Sequence, residues 1–150
     1  MIQFLLIFLL FSGAVSADAK LQSSINITST RPGKINPSTP VILSTRVKNI
    51  GDEKSLPGEI FIRFAFREPH TEEANSVLFE TEKVDLPALS AGEEKTITFK
   101  TPHLLPTIFE FVRHDWAMRD YEAVVERGGK KEVIGKRALG FTAHYYEGCE

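Results

Sequence analysis

The chain has 150 residues, 42% of them hydrophobic and 25% charged, with a formal net charge of -2. That composition is ordinary for a globular domain, and the slightly acidic balance leaves no basic field of the kind that draws a protein to nucleic acid. One cysteine, Cys149, rules out an internal disulfide, so an apolar core has to hold the fold.

Residues 2–11 are almost entirely apolar and lead into Ser12-Gly13-Ala14-Val15-Ser16-Ala17-Asp18, the small-residue pattern that a signal peptidase cuts. As a helix, residues 2–15 would reach about 21 Å at ~1.5 Å per residue, short of the ~30 Å hydrocarbon core of a bilayer. Residues 1–17 therefore read as a leader cut after Ala17, with Ala19 as the second choice. Its first residues carry no Lys or Arg, and a leader left uncut would be the chain's membrane contact. No cysteine directly follows the apolar run, which argues against a bacterial lipoprotein anchor. Residues 18–150 then suit a single domain of usual size.

In that domain apolar and polar residues alternate with the period of two that marks half-buried strands. Ile25 and Ile27 flank Asn26 in a short first strand, and Pro32-Gly33 and Pro37 to Pro40 punctuate the turn that follows. Val41, Leu43, Thr45 and Val47 alternate with Ile42, Ser44, Arg46 and Lys48. Over residues 59–67, Ile60, Ile62, Phe64 and Phe66 form one face, and Phe61, Arg63, Ala65 and Arg67 the other, read as solvated. Ile97 and Phe99 repeat the pattern. Residues 107–118 fit a helix and a strand about equally: Thr107 to Glu110 has the form of a capping box, while Phe109 and Phe111 alternate around Glu110. Tyr121, Ala123 and Val125 open a further strand, and Arg127-Gly128-Gly129-Lys130 supplies the positive φ angles of a tight hairpin. Its return strand runs from Val133 to Tyr145, where Gly135 and Gly140 mark bulges or close backbone approach. The expectation is an all-β, antiparallel, Ig-like β-sandwich of about seven strands.

Two motifs sharpen that expectation. A strand closes on Asn49-Ile50-Gly51-Asp52, and Leu86-Pro87-Ala88-Leu89-Ser90-Ala91-Gly92-Glu93-Glu94 later opens another. The pair resembles the CARDB family, bacterial extracytoplasmic Ig-like modules in which an Asn-x-Gly turn is combined with a corner of leucine, small residues, glycine and an acid. The likeness covers residues 49–99 well and the stretch from Tyr121 loosely. It implies a binding or spacer module that is secreted, periplasmic or attached to the cell envelope, with a protein or glycan partner and a role related to adhesion. Asp115-Trp116 and Tyr121 are similar to the tyrosine corner of Ig-like domains, a structural device.

No motif carries chemistry. His70, His103, His114 and His144 lack the close pairing of metal ligands, and no nucleophile elbow, EF-hand loop or phosphate-binding glycine loop is present. The sequence therefore predicts no enzyme and no cofactor. Two surfaces are candidates for interaction: the polar loop 67–76 with His70 and Glu72, and the final hairpin with Arg127, Lys130 and Lys131, near Cys149. An unpaired cysteine in an exported chain points to an intermolecular disulfide or a free thiol, so a covalent subunit linked through Cys149 is the alternative reading. An enzyme built around His114, Asp115 and Trp116 is the third.

Overall fold

The computed structural model describes residues 19–30, 40–67, 76–104 and 118–138, and among these it is all-β with no helix. Eight strands form: β1 (Leu21–Ser29), β2 (Val41–Asn49), β3 (Gly58–Arg67), β4 (Ser76–Glu80), β5 (Val84–Leu86), β6 (Glu94–Thr98), β7 (Met118–Arg127) and β8 (Lys130–Ala138). They make two antiparallel sheets, β1-β2-β6 and β4-β3-β7-β8, with β5 also pairing with β3. This is the Ig-like division of strands, with the first, second and fifth strands of the pattern facing the third, sixth and seventh. β4 and β5 are successive pieces along one edge of β3. Thr81 fills the gap between them, donating its N–H to Ile62 O at 2.8 Å and accepting Ile62 N–H on Oγ1 at 2.9 Å.

The alternation read from β2 is reproduced: Val41, Leu43, Thr45 and Val47 are buried and Arg46 and Lys48 exposed. Ile60, Ile62 and Phe64 of β3 stand beside their register partners Val125, Ala123 and Tyr121 of β7 on the core face of one sheet, with Leu86, Leu89, Ile97 and Phe99 in the same core. The first strand is longer than Ile25 and Ile27 alone indicate. β4 and β5 had no clear signal, being short edge pieces separated by polar residues, with a register shift opposite Phe64 and Ala65. The leader, His70, Glu72, residues 107–117, the return strand beyond Ala138 and Cys149 lie outside the described residues.

The hairpin between β7 and β8 turns on Gly128 and Gly129, at φ of +54° and +79°, as a two-residue type I′ turn requires. Gly135 serves close approach. It sits beside a register shift between Ala123 and Val124, and a Cβ there would lie 2.2 Å from Ser23 Oγ and 2.4 Å from Ser23 O. Arg137 Nη1 donates to Ile25 O at 3.0 Å. Together these contacts seal the edges of β1 and β8 side by side, although the two strands share no ladder.

The Asn-x-Gly and Leu-x-x-Gly motifs prove to be one structure. Asn49 is fully buried at the end of β2. Its Oδ1 accepts from Gly51 N at 3.0 Å and Lys20 N at 3.3 Å, while its Nδ2 donates to Leu89 O at 3.0 Å and Glu53 O at 2.6 Å. Its backbone pairs with Glu93 O and Gly92 N. Ser55, also buried, gives its N–H to Leu89 O and takes Leu89 N–H on Oγ, both at 2.8 Å. A buried amide that satisfies two acceptors and two donors at once fixes the loop on either side of it.

Candidate functional site: the loop end beside the final hairpin

Because Asn49 and Ser55 are pinned to Leu89, the loop between β2 and β3 has little freedom, and it runs past the β7–β8 hairpin. Arg127 Nε donates to Leu56 O at 3.2 Å, which ties the two together. Between them lies a cleft of about 380 Å³ lined by Leu21, Glu53, Lys54, Leu56, Arg127 and Glu132. In Ig-like domains these are the second-to-third and sixth-to-seventh strand loops, which share one end of the sandwich and serve recognition in variable domains. Leu56 is the conspicuous side chain. It is 70% exposed, yet Ser55 before it is locked to Leu89, its own carbonyl is held by Arg127, and Pro57 after it has a fixed φ.

The three basic residues of the hairpin point to different tasks. Arg127 faces the loop and lies 3.5 Å from Glu132. Lys131 turns onto the outer face of the five-stranded sheet, where its Nζ stands 5.6 Å from the ring centre of Phe61. Lys83 approaches the same ring at 5.6 Å and pairs with Glu126 at 2.7 Å. That hydrogen bond raises the Lys83 ammonium above its ordinary pKa and lowers the Glu126 carboxyl below its own. Lys130 is exposed at the tip. Cations that read as one basic run are therefore interleaved with Glu126, Glu132 and Glu53.

His70 and Glu72 of the other candidate surface lie outside the described residues. Cys149 and His114 lie outside the described residues. Sequence reasoning missed Leu56, Glu53 and Lys54. The available signal was a lone leucine before a proline in the polar run Asp52-Glu53-Lys54-Ser55.

His103 is a partly buried histidine packed against aromatic rings at the edge of the core. Its ring lies 4.1 Å from that of Phe79 and 6.1 Å from that of Tyr121, and burial lowers its pKa to about 4. Among the described residues no group of three or more His, Cys, Asp or Glu is placed to hold a metal ion. No helix among them is long and apolar enough to cross a membrane.

No protein-family model matches the chain, and no curated protein matches it. Several solved structures share a partial likeness, among them two that span most of this chain. One is a calcium-binding mutant of β-glucuronidase 2 from Bacteroides uniformis, with a TM-score of 0.39 and 19% identity over 79% of this chain; the match spans 12% of the enzyme chain. The other is the ApaA protein from Bordetella pertussis, with a TM-score of 0.38 and 18% identity over 83% of this chain and 96% of that one.

Proposed function

We propose that this protein is an exported, non-catalytic Ig-like module of CARDB type that binds a partner through the end of the sandwich formed by the β2–β3 loop and the β7–β8 hairpin. One observation carries the reading: Leu56 is held rigidly in solvent beside Arg127 and a cleft. An exposed apolar side chain whose backbone is already fixed loses little entropy on docking, which makes it an efficient anchor, and a leucine beside an arginine suits a protein surface with an apolar pocket and a polar rim. The apolar leader supports export to the periplasm, the envelope or the medium. Adhesion remains the role the family likeness supports.

The test is a photo-crosslinking residue placed at position 56 in the full chain, expressed in its own host. A discrete adduct at 56, lost when Lys54 and Arg127 are both changed to Glu, and no adduct from Thr96 on the solvated sheet face, is the expected result. Equal labelling from 56 and 96, or none from 56, contradicts it.

A further inference from the structure

Past β6 the chain continues along the mouth of the sandwich as a strap, residues 99–104. Phe99 N–H donates to Leu43 O at 2.9 Å, and His103 exchanges both backbone hydrogen bonds with Val41, at 2.8 and 3.0 Å. Two side chains hold the strap down. Glu82, between β4 and β5, accepts on one carboxylate oxygen from Lys100 N–H and, at 3.4 Å, from Thr101 N–H. His103 lays its ring against Phe79 and towards Tyr121, and its Nε2 is buried with no hydrogen-bond partner.

Each attachment needs one protonation state. The imidazole lies among the rings of Phe79 from β4 and Tyr121 from β7, while the backbone of His103 pairs with Val41 of β2. Of the charged groups on the surrounding elements, Glu80 of β4 is exposed opposite Arg63, Asp120, Glu122 and Glu126 of β7 alternate with Tyr121, with Glu122 paired to Arg63 and Glu126 to Lys83, Arg137 of β8 binds Ile25 O, and Arg46 and Lys48 are exposed at the far end of β2. Burial is accordingly the whole cause of the lowered His103 pKa. For Glu82, burial pushes the carboxyl up. The hydrogen bonds it accepts from its own N–H, from Lys100 and from Thr101 outweigh that and leave it below its ordinary value.

We propose that residues 99–104 are an acid-released latch, shut at neutral pH by the Glu82 carboxylate on the Lys100 and Thr101 amides and by the neutral His103 ring against Phe79 and Tyr121. Opening lifts the strap from β2 and exposes more of both rings, enlarging the aromatic surface that the closed strap partly covers at Phe79 and covers at Tyr121. His103 is harder to protonate in the closed strap than in the open one, so its contribution is complete above about pH 6.5 and is lost as the pH falls towards 4. Across that window one proton taken up favours opening by about tenfold per pH unit. Glu82 has a depressed pKa, so its contribution is present above its ordinary value of 4.5 and lost below it, adding to the release at the acid end.

Amide hydrogen exchange of the full chain from pH 7 to pH 4.5, corrected for intrinsic rates, reads the latch directly. The expected result is that protection at Lys100, Thr101 and His103 falls about tenfold per pH unit below pH 6.5 while β3 and β7 keep theirs. His103→Phe retains a ring against Phe79 but carries no proton, and its profile is flat to about pH 5. Glu82→Gln weakens protection of the Lys100 and Thr101 amides already at pH 7 and keeps the slope. An identical slope in wild type and His103→Phe overturns the proposal, as does simultaneous loss of protection in β3 and β7. Should His103→Phe fail to fold, an NMR titration of wild-type His103 decides: a value near 6.5 in the folded chain also overturns it.

Discussion

The three-stranded sheet has one wet face, whereas the five-stranded sheet is buried on both faces at its central strands β3 and β7. In the first, Gln22, Ser24, Asn26 and Thr28 of β1, Arg46 and Lys48 of β2, and Glu94, Thr96 and Thr98 of β6 are all exposed. In the second, the residues that alternate with the core are themselves buried: Phe61 and Ala65 of β3, and Asp120, Glu122 and Val124 of β7. Phe61 and Val124 are register partners outside the main core cluster, so they belong to a second apolar layer on the outer face. Beside them Arg63 Nε meets Glu122 Oε2 at 2.7 Å, and Glu122 is 1% exposed. The comparison teaches that strict alternation in sequence fixes which residues share a face, but says nothing of whether the second face is wet.

Substitutions can sharpen or break this contrast. The largest effect belongs to the common core, where Phe64→Ala removes a ring packed on Tyr121 at 4.8 Å and should cost about 3 to 5 kcal/mol in denaturant unfolding. Arg63→Ala removes the hydrogen-bonded partner of the buried Glu122 carboxylate and should cost about 3 kcal/mol; the double variant Arg63→Met, Glu122→Leu should recover most of that. If Arg63→Ala proves harmless, the outer face is wet after all. Gly135→Ala drives a methyl group into the Ser23 backbone and should cost about 1 to 3 kcal/mol, which would show that the seam between β1 and β8 is closed. Smallest of all, Arg46→Ala on the exposed face of the three-stranded sheet should change stability by less than about 0.5 kcal/mol.

Much of this architecture was legible from local pattern. The alternation of β2 and the two glycines of the hairpin rest on short-range chemistry, and both are reproduced; the Asn49-Ile50-Gly51 turn was legible as a motif, whereas its bond to Leu89, 40 positions on, comes from the fold. Arg63 was read as solvated because its partner is 59 positions away in sequence. Only the register that sets Glu80, Arg63, Glu122 and Lys136 in one row across four strands brings alternating charges together. The candidate site was half legible for the same reason. Arg127, Lys130 and Lys131 stood out as a charged turn, but the loop carrying Leu56 reaches them only through the fold, and the carboxylates interleaved with them turn a basic patch into a mixed one.

The burial of a second apolar layer is tested most directly by the unfolding free energy of Phe61→Ala measured beside that of Phe64→Ala. A core on both sides of β3 predicts losses of similar size, each about 3 to 5 kcal/mol. A loss below about 1 kcal/mol for Phe61→Ala, with the full loss for Phe64→Ala, would place Phe61 on an ordinary solvated face and contradict the account.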